Sequence, residues 1–300
     1  MKIAITGGTG FLGNYVVDAI REHNHTPIIL TRKALDNVKS NEYRNTNYTT
    51  NDLSQKLHDI DAVVHLAAKR GSQGYIAEFH DNEIFTQNLY ESCSENGITN
   101  IIFASTISVY SDEGLLPWTE KHLPSPYLMY GISKLANEHI GNTYSKKKGL
   151  NIKNLRFAHL YGFNEKNNYM INRFFRQAFH QEQLILNTKS VAKREFLYAK
   201  DAAKAIICAL KQNSVSGTFN IGSGEAFTNY EIAVKINSAF GNDNNLLVKD
   251  PDKEEGIQSS YMDSGEARRF LNFAPNYTFT EALAEIYSLM RGLNDVPLWY

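Results

Sequence analysis

Three glycines, Gly7, Gly10 and Gly13, recur at three-residue intervals in TGGTGFLG (6–13). They lie between KIAIT (2–6), which reads as a strand, and FLGNYVVDAIREH (11–23), where Leu12, Tyr15, Val16, Ala19 and Ile20 fall at helical spacing. This junction constrains the chain more than any other stretch. Glycine permits a tight strand-to-helix turn, close approach of backbone to a ligand, and close packing of helix on sheet. The helix start then offers unpaired N–H groups and a partial positive charge, which suit a pyrophosphate. A glycine triplet alone is weak evidence. One that follows a strand and opens an amphipathic helix predicts a dinucleotide site.

The pattern continues through the first half. TPIILT (26–31), DAVVHLA (61–67), NIIFAS (100–105) and NIKNLRFA (151–158) read as strands. EIFTQNLYESCSENG (83–97) reads as a helix, as does the stretch from PYLMYGISK (126–134) to about Lys148, stopped by Gly149. Apolar strands alternating with helices predict an α/β fold with a doubly wound parallel sheet covered on both faces. Beyond residue 162 the pattern loosens into a helix-like segment (168–181) and short runs such as EFLYA and TFNIG between polar loops.

Composition narrows the partners. The chain is 42% hydrophobic and 21% charged, as in ordinary globular proteins. A net charge of -1 supplies no global field for nucleic acid or an anionic membrane, so neither partner is expected. No apolar run approaches the ~18 residues of a membrane span. The start, MKIAITGG, lacks the features of a signal peptide. Cys93 and Cys208 make no disulfide framework. A cytoplasmic protein is expected. The nine histidines show no ligand spacing, so no metal site is expected. Lys146 to Lys148 read as a solvated helix end.

Two short stretches bear on chemistry. In IILTRK, Thr31 stands where an acid would hold a ribose 2′-hydroxyl, and Arg32 and Lys33 follow. A guanidinium can bind a 2′-phosphate bidentately, which favours NADP over NAD. In YGISK, Tyr130 and Lys134 stand one helical turn apart and share a face. A cation there would favour the phenolate and bring the tyrosine nearer neutral pH.

The motifs occur in order over nearly the whole chain: TGGTGFLG, Asp52-Leu53, VVHLAA (63–68), Asn82 with Thr86, FASTISVY (103–110), YGISK, LRFAHLYG (155–162), REFLYAKDAAKA (194–205), FNIGSG (219–224) and DSGEARRFL (263–271). In this the chain resembles the extended short-chain dehydrogenase/reductases that act on nucleotide sugars: epimerases, 4-keto reductases and dehydratases. The resemblance implies an N-terminal Rossmann domain (1–162) and a smaller C-terminal α+β substrate-binding lobe (163–300), with segments near 194–222 returning to the first. It places Gly7, Gly10, Phe11, Leu12 and Gly13 at the dinucleotide and Asp52 and Leu53 beside its adenine. Leu66, Ala67 and Ala68 would lie along the cofactor, and Phe157 and Ala158 would border the nicotinamide. Thr106, Tyr130 and Lys134 would form the catalytic triad, with Lys134 also on the nicotinamide ribose. Thr106 and Arg194 would face the nucleotide sugar, Arg194 on a phosphate. His159 stands where many relatives have Asn and either faces that sugar or is structural. Arg70, after the strand that lines the cofactor, either reaches a cofactor or sugar phosphate or caps a loop. Ser105 would point the opposite way on its strand. A homodimer is implied through a four-helix bundle built from residues 82–96 and 130–148, with Tyr90, Ile140 and Tyr144 as candidate contacts.

Dehydratases of this family carry an acidic pair after the threonine, whereas this chain has Ile107 and Ser108. An apolar side chain cannot be a general acid, so 4,6-dehydration is not expected. Arg32 and Lys33 point to an NADPH-dependent 4-keto-sugar reductase. The alternatives are a UDP-hexose 4-epimerase that keeps NAD bound, a reductase of a non-nucleotide carbonyl, and a dinucleotide-binding protein without catalysis. Retention of both Tyr130 and Lys134 disfavours the last.

Overall fold

The computed structural model describes residues 1–32, 42–70, 74–189, 191–253 and 256–293. Its centre is a seven-stranded sheet built from β1 (Lys2–Thr6), β2 (Thr26–Thr31), β3 (Tyr43–Asn45), β4 (Ala62–His65), β5 (Asn100–Thr106), β6 (Asn151–Phe157) and, much later in the chain, β10 (Gly217–Ile221). The order is β3-β2-β1-β4-β5-β6-β10. Every pairing in it is parallel. Chain direction across the sheet reverses between β1 and β4. A crevice therefore opens at the carboxyl ends of those two strands, where α/β sheets bind ligands.

Side-chain alternation along each strand feeds two apolar layers. On one face Ile3, Ile5, Val64, Ile102 and Leu155 pack with Val16 and Ile20 of α1 (Phe11–Glu22) and with Ala202 and Ile206 of α6 (Ala199–Leu210). On the other, Ala4, Val63, Ile101 and Ile152 meet Leu53 and Leu57 of α2 (Thr50–Leu57) and Leu89 and Tyr90 of α3 (His80–Glu95). The long helix α4 (Met129–Lys148) lies beside α3 and ends at Gly149, whose φ of 69° is the left-handed stop that glycine adopts without strain.

A second apolar core lies beyond residue 160. Tyr161 of β7 (His159–Tyr161), Phe174 and Phe175 of α5 (Met170–Phe179), Leu184 and Leu186 of β8 (Leu184–Thr188), and Phe196 and Tyr198 of β9 (Lys193–Tyr198) belong to it. Ile232 and Ile236 of α7 (Asn229–Ala239) and Leu283 and Ile286 of α9 (Phe279–Arg291) complete it. β9 lies between β7 and β11 (Ala226–Thr228) in a three-stranded sheet, and β12 (Leu246–Asp250) pairs with β8. The remaining helix, α8 (Gly265–Leu271), packs against β10. Among the described residues, no helix is long and apolar enough to cross a membrane.

Candidate active site

The glycine turn shapes the crevice. Gly7 has a φ of 73°, and a Cβ there would sit 2.8 Å from the Ala67 nitrogen. A Cβ on Gly13 would lie 2.2 Å from the Gly7 carbonyl oxygen, so helix and turn meet without room for one methyl group. Phe11 and Leu12 open α1, with Phe11 edge-on to Tyr15 at 5.5 Å.

The strand exit opposite is held by a buried relay. Ala67 N–H donates to Thr6 Oγ1 at 3.2 Å, Thr6 Oγ1 contacts His65 Nδ1 at 2.7 Å, and His65 Nε2 contacts Thr86 Oγ1 at 3.0 Å. Burial, then Lys134, pushes the His65 pKa down to about 3, so the imidazole is neutral. This relay fixes Leu66 and Ala67 against the glycine turn, with Ala68 more exposed beyond them. The sequence motifs carried His65, Thr6 and Thr86 separately, and only the fold joins β4 to β1 and α3 through them.

Asp52 and Leu53 divide. Asp52 accepts from Asn47 N–H at 2.9 Å on the partly exposed side of α2. Leu53 is wholly buried in the core and turns no side-chain surface to a ligand. Arg32 follows β2, with its guanidinium 5.5 Å from the centre of the Tyr48 ring, which is itself stacked on Phe85. Lys33 lies outside the described residues.

The triad residues come from two elements. Thr106 ends β5, and its Oγ1 accepts from Ser108 N–H at 3.1 Å. Ser105 points the other way and donates to Glu138 Oε1 at 2.5 Å. Tyr130 and Lys134 occupy the first turns of α4, which approaches the 107–109 turn closely because residue 131 is glycine. A Cβ there would be 2.2 Å from the Ser108 carbonyl oxygen. The Lys134 Nζ lies 5.8 Å from the centre of the Tyr130 ring and donates to the Ala104 carbonyl at 2.6 Å.

The electrostatics differ from the sequence expectation. Burial raises the Tyr130 pKa above the ordinary phenol value, and the cation that pulls it back is Arg70. Lys134 is itself pushed down to about 7 by burial and by Arg70, against the opposing pull of Glu138. A lysine that burial makes easier to deprotonate is a weaker source of field than the sequence pairing suggested. Arg70 has its guanidinium 5.6 Å from the centre of the Tyr169 ring, which places it at the mouth of the crevice.

Phe157 ends β6 and Ala158 follows it; both are buried, Ala158 N–H donating to Ile221 O. His159 and Arg194 meet around Ser260. His159 Nε2 lies 3.1 Å from Ser260 Oγ, and Arg194 bridges to Ser260 through backbone. Burial, then Arg194, lowers the His159 pKa to about 4, so it serves as a neutral hydrogen-bonding group. Ser260 had no sequence signal. Among the described residues, no group of acidic, histidine or cysteine side chains could hold a metal ion.

Comparison with known proteins places this geometry. The model of the NAD dependent epimerase/dehydratase family matches residues 3–222. The crystal structure of a UDP-N-acetylglucosamine 4-epimerase from Bacillus cereus shares 68% identity, with 100% of each chain covered and a TM-score of 0.93. The uncharacterized UDP-glucose epimerase YtcB of Bacillus subtilis is 29% identical, covering 97% of this chain and 100% of that one. A structure of MoeE5 with UDP-glucuronic acid and NAD is 26% identical over 98% of this chain and 100% of the other, with a TM-score of 0.83.

Proposed function

Because the chain belongs to the NAD dependent epimerase/dehydratase family, we propose that this enzyme inverts C4 of a UDP-sugar, UDP-N-acetylglucosamine foremost, with NAD held throughout the cycle. One observation carries the choice: the full-length, 68% identical relative is a UDP-N-acetylglucosamine 4-epimerase. It favours the epimerase over the NADPH-dependent 4-keto reductase that Arg32 suggested. Arg32 beyond β2 remains on the reductase side, together with Lys33, which lies outside the described residues.

The residues present fit a dinucleotide. The turn at Gly7, Gly10 and Gly13 is a cradle that side chains would fill, and it opens a helix whose N-terminal N–H groups suit a diphosphate. When bound, a dinucleotide held at this turn would supply hydride exchange with C4. Tyr130 takes the C4 hydroxyl proton in the first transfer and gives it back in the second. Thr106 holds that same oxygen, and Lys134 holds the cofactor ribose. Arg194 binds the diphosphate beside neutral His159, which adds a hydrogen bond without adding charge. Gripping the nucleotide end leaves the sugar free to turn over between the two transfers.

The test is to denature the purified protein, identify the released nucleotide by chromatography, and follow UDP-N-acetylglucosamine by NMR. Stoichiometric NAD and formation of the C4 epimer are expected. Release of NADP, or consumption of added NADPH by a keto sugar without epimer formation, would establish the reductase instead.

A homodimer through α3 and α4 belongs to the same proposal. Ile84 on α3 and Ile132 on α4 are exposed. The expected contacts Tyr90, Ile140 and Tyr144 instead pack on the sheet-side core, Tyr90 completely. Sedimentation as a dimer that Ile84→Glu converts to monomer is the expected result; a monomeric wild type would remove the bundle.

A further inference from the structure

A buried polar chain lies one rung beneath the triad, and the reaction above does not use it. Glu138 and Arg156 are 2% and 4% exposed. Glu138 Oε1 accepts from Ser105 Oγ at 2.5 Å and from Arg156 Nε at 3.0 Å, and its Oε2 meets the third guanidinium nitrogen at 2.6 Å. The remaining nitrogen of Arg156 donates to Tyr110 Oη at 2.6 Å. Tyr110 Oη in turn donates to Asn220 Oδ1 on β10 at 3.0 Å.

The placement is what matters. Lys134 and Glu138 share one face of α4, a turn apart. Lys134 is tied to Ala104 and Glu138 to Ser105, and the next residue of β5 is Thr106. In the adjacent strand, Arg156 pairs in register with Ser105, and Phe157 with Thr106. The chain thus stitches the triad helix, the threonine strand and β6 together within one residue of the reacting groups. Stability alone gives little reason for charges here, because well-packed apolar residues in place of a buried ion pair are often neutral or stabilising. A bidentate guanidinium–carboxylate pair does supply fixed geometry.

We propose that Glu138 and Arg156, extended by Tyr110, are positioning residues that set Lys134 and Thr106 relative to Tyr130. Only the kinetic arm of the test rests on the epimerase reading. The variants are Glu138→Gln, which leaves the guanidinium unpaired, the double variant Glu138→Met with Arg156→Met, which removes both charges, and Tyr110→Phe, which removes one anchor. Melting temperature, NAD affinity by calorimetry, and kcat and KM are measured on each.

The double variant is expected to melt near the wild type and yet lose about 10²-fold in kcat with a smaller change in KM, the signature of misplaced groups. Its NAD affinity should fall about tenfold as Lys134 moves. Tyr110→Phe should shift kcat and NAD affinity in the same direction by less. A double variant with wild-type kcat and NAD affinity would show the pair to be merely structural. So would a double variant that fails to fold while Tyr110→Phe behaves as wild type. If the wild type epimerises no UDP-sugar, the epimerase reading fails, and NAD affinity decides the positioning role on its own.

Discussion

Tyr130→Phe is expected to lower kcat for epimerisation by about 10²–10⁴-fold, the usual contribution of a positioned acid–base group. The melting temperature and the retained dinucleotide should be unchanged. The substitution deletes one hydroxyl and keeps the ring, whose contacts with Phe79 at 6.4 Å and with the Lys134 ammonium at 5.8 Å do not involve that oxygen. Steady-state rates for the wild type and the variant, with chromatography of the bound nucleotide, make the check. A variant within about tenfold of wild type would assign the proton to another group. The half-buried Tyr130 phenol also sets the pH dependence. Its pKa is raised, so the basic form grows with pH and activity should climb on the alkaline side of neutrality.

The second large effect is acid instability. His65 and His159 have folded pKa values of about 3 and about 4, against an ordinary 6.5. Each binds its proton more readily in the unfolded chain, so the unfolded state gains protons as pH falls below 6.5. Stability contributed by both is present above that pH and is lost on the way down. At about pH 5 each costs roughly 2 kcal/mol, and the two together change stability by about 3 kcal/mol per pH unit. That is a large share of the about 5–15 kcal/mol available to a typical protein. Burial raises the pKa of Glu120, Glu195 and Asp201, and their protonation in the folded state opposes this slope. Urea unfolding between about pH 6 and pH 5 reads the histidine slope less that opposition. A flat stability across that interval would overturn the expected histidine slope.

Local features of the site were legible, and features assembled across the sheet were not. The glycine turn, the Tyr130–Lys134 spacing and the Gly149 stop each lie within a few residues, where steric rules act directly. The parallel sheet followed from apolar strands alternating with helices. β3 has three residues, too few to show a period. Leu53 was read toward the adenine, yet its place on α2 sends it into the core. The charge of Lys134 was assumed from residue type, whereas its depth in the fold lowers its pKa and its Nζ meets a backbone carbonyl. Glu138 stands one turn beyond Lys134, a visible hint, but its partner comes from the next strand. Tyr110 and Asn220 meet only because β10 returns from the far side of the second core.

That return has a consequence for synthesis. Until β10 is made, β6 is an open border of the sheet, with its hydrogen-bonding groups facing outward along the strand that carries Arg156 and Phe157. An open strand border invites pairing with another chain. Chains acquire structure from the amino end as they leave the ribosome, so a nascent chain holding the glycine turn and the triad still waits for residues 217–221 to seal its edge. The closing strand also delivers Asn220 to Tyr110. Sealing the sheet and completing the polar chain beneath the triad are thus one late event in the birth of the molecule.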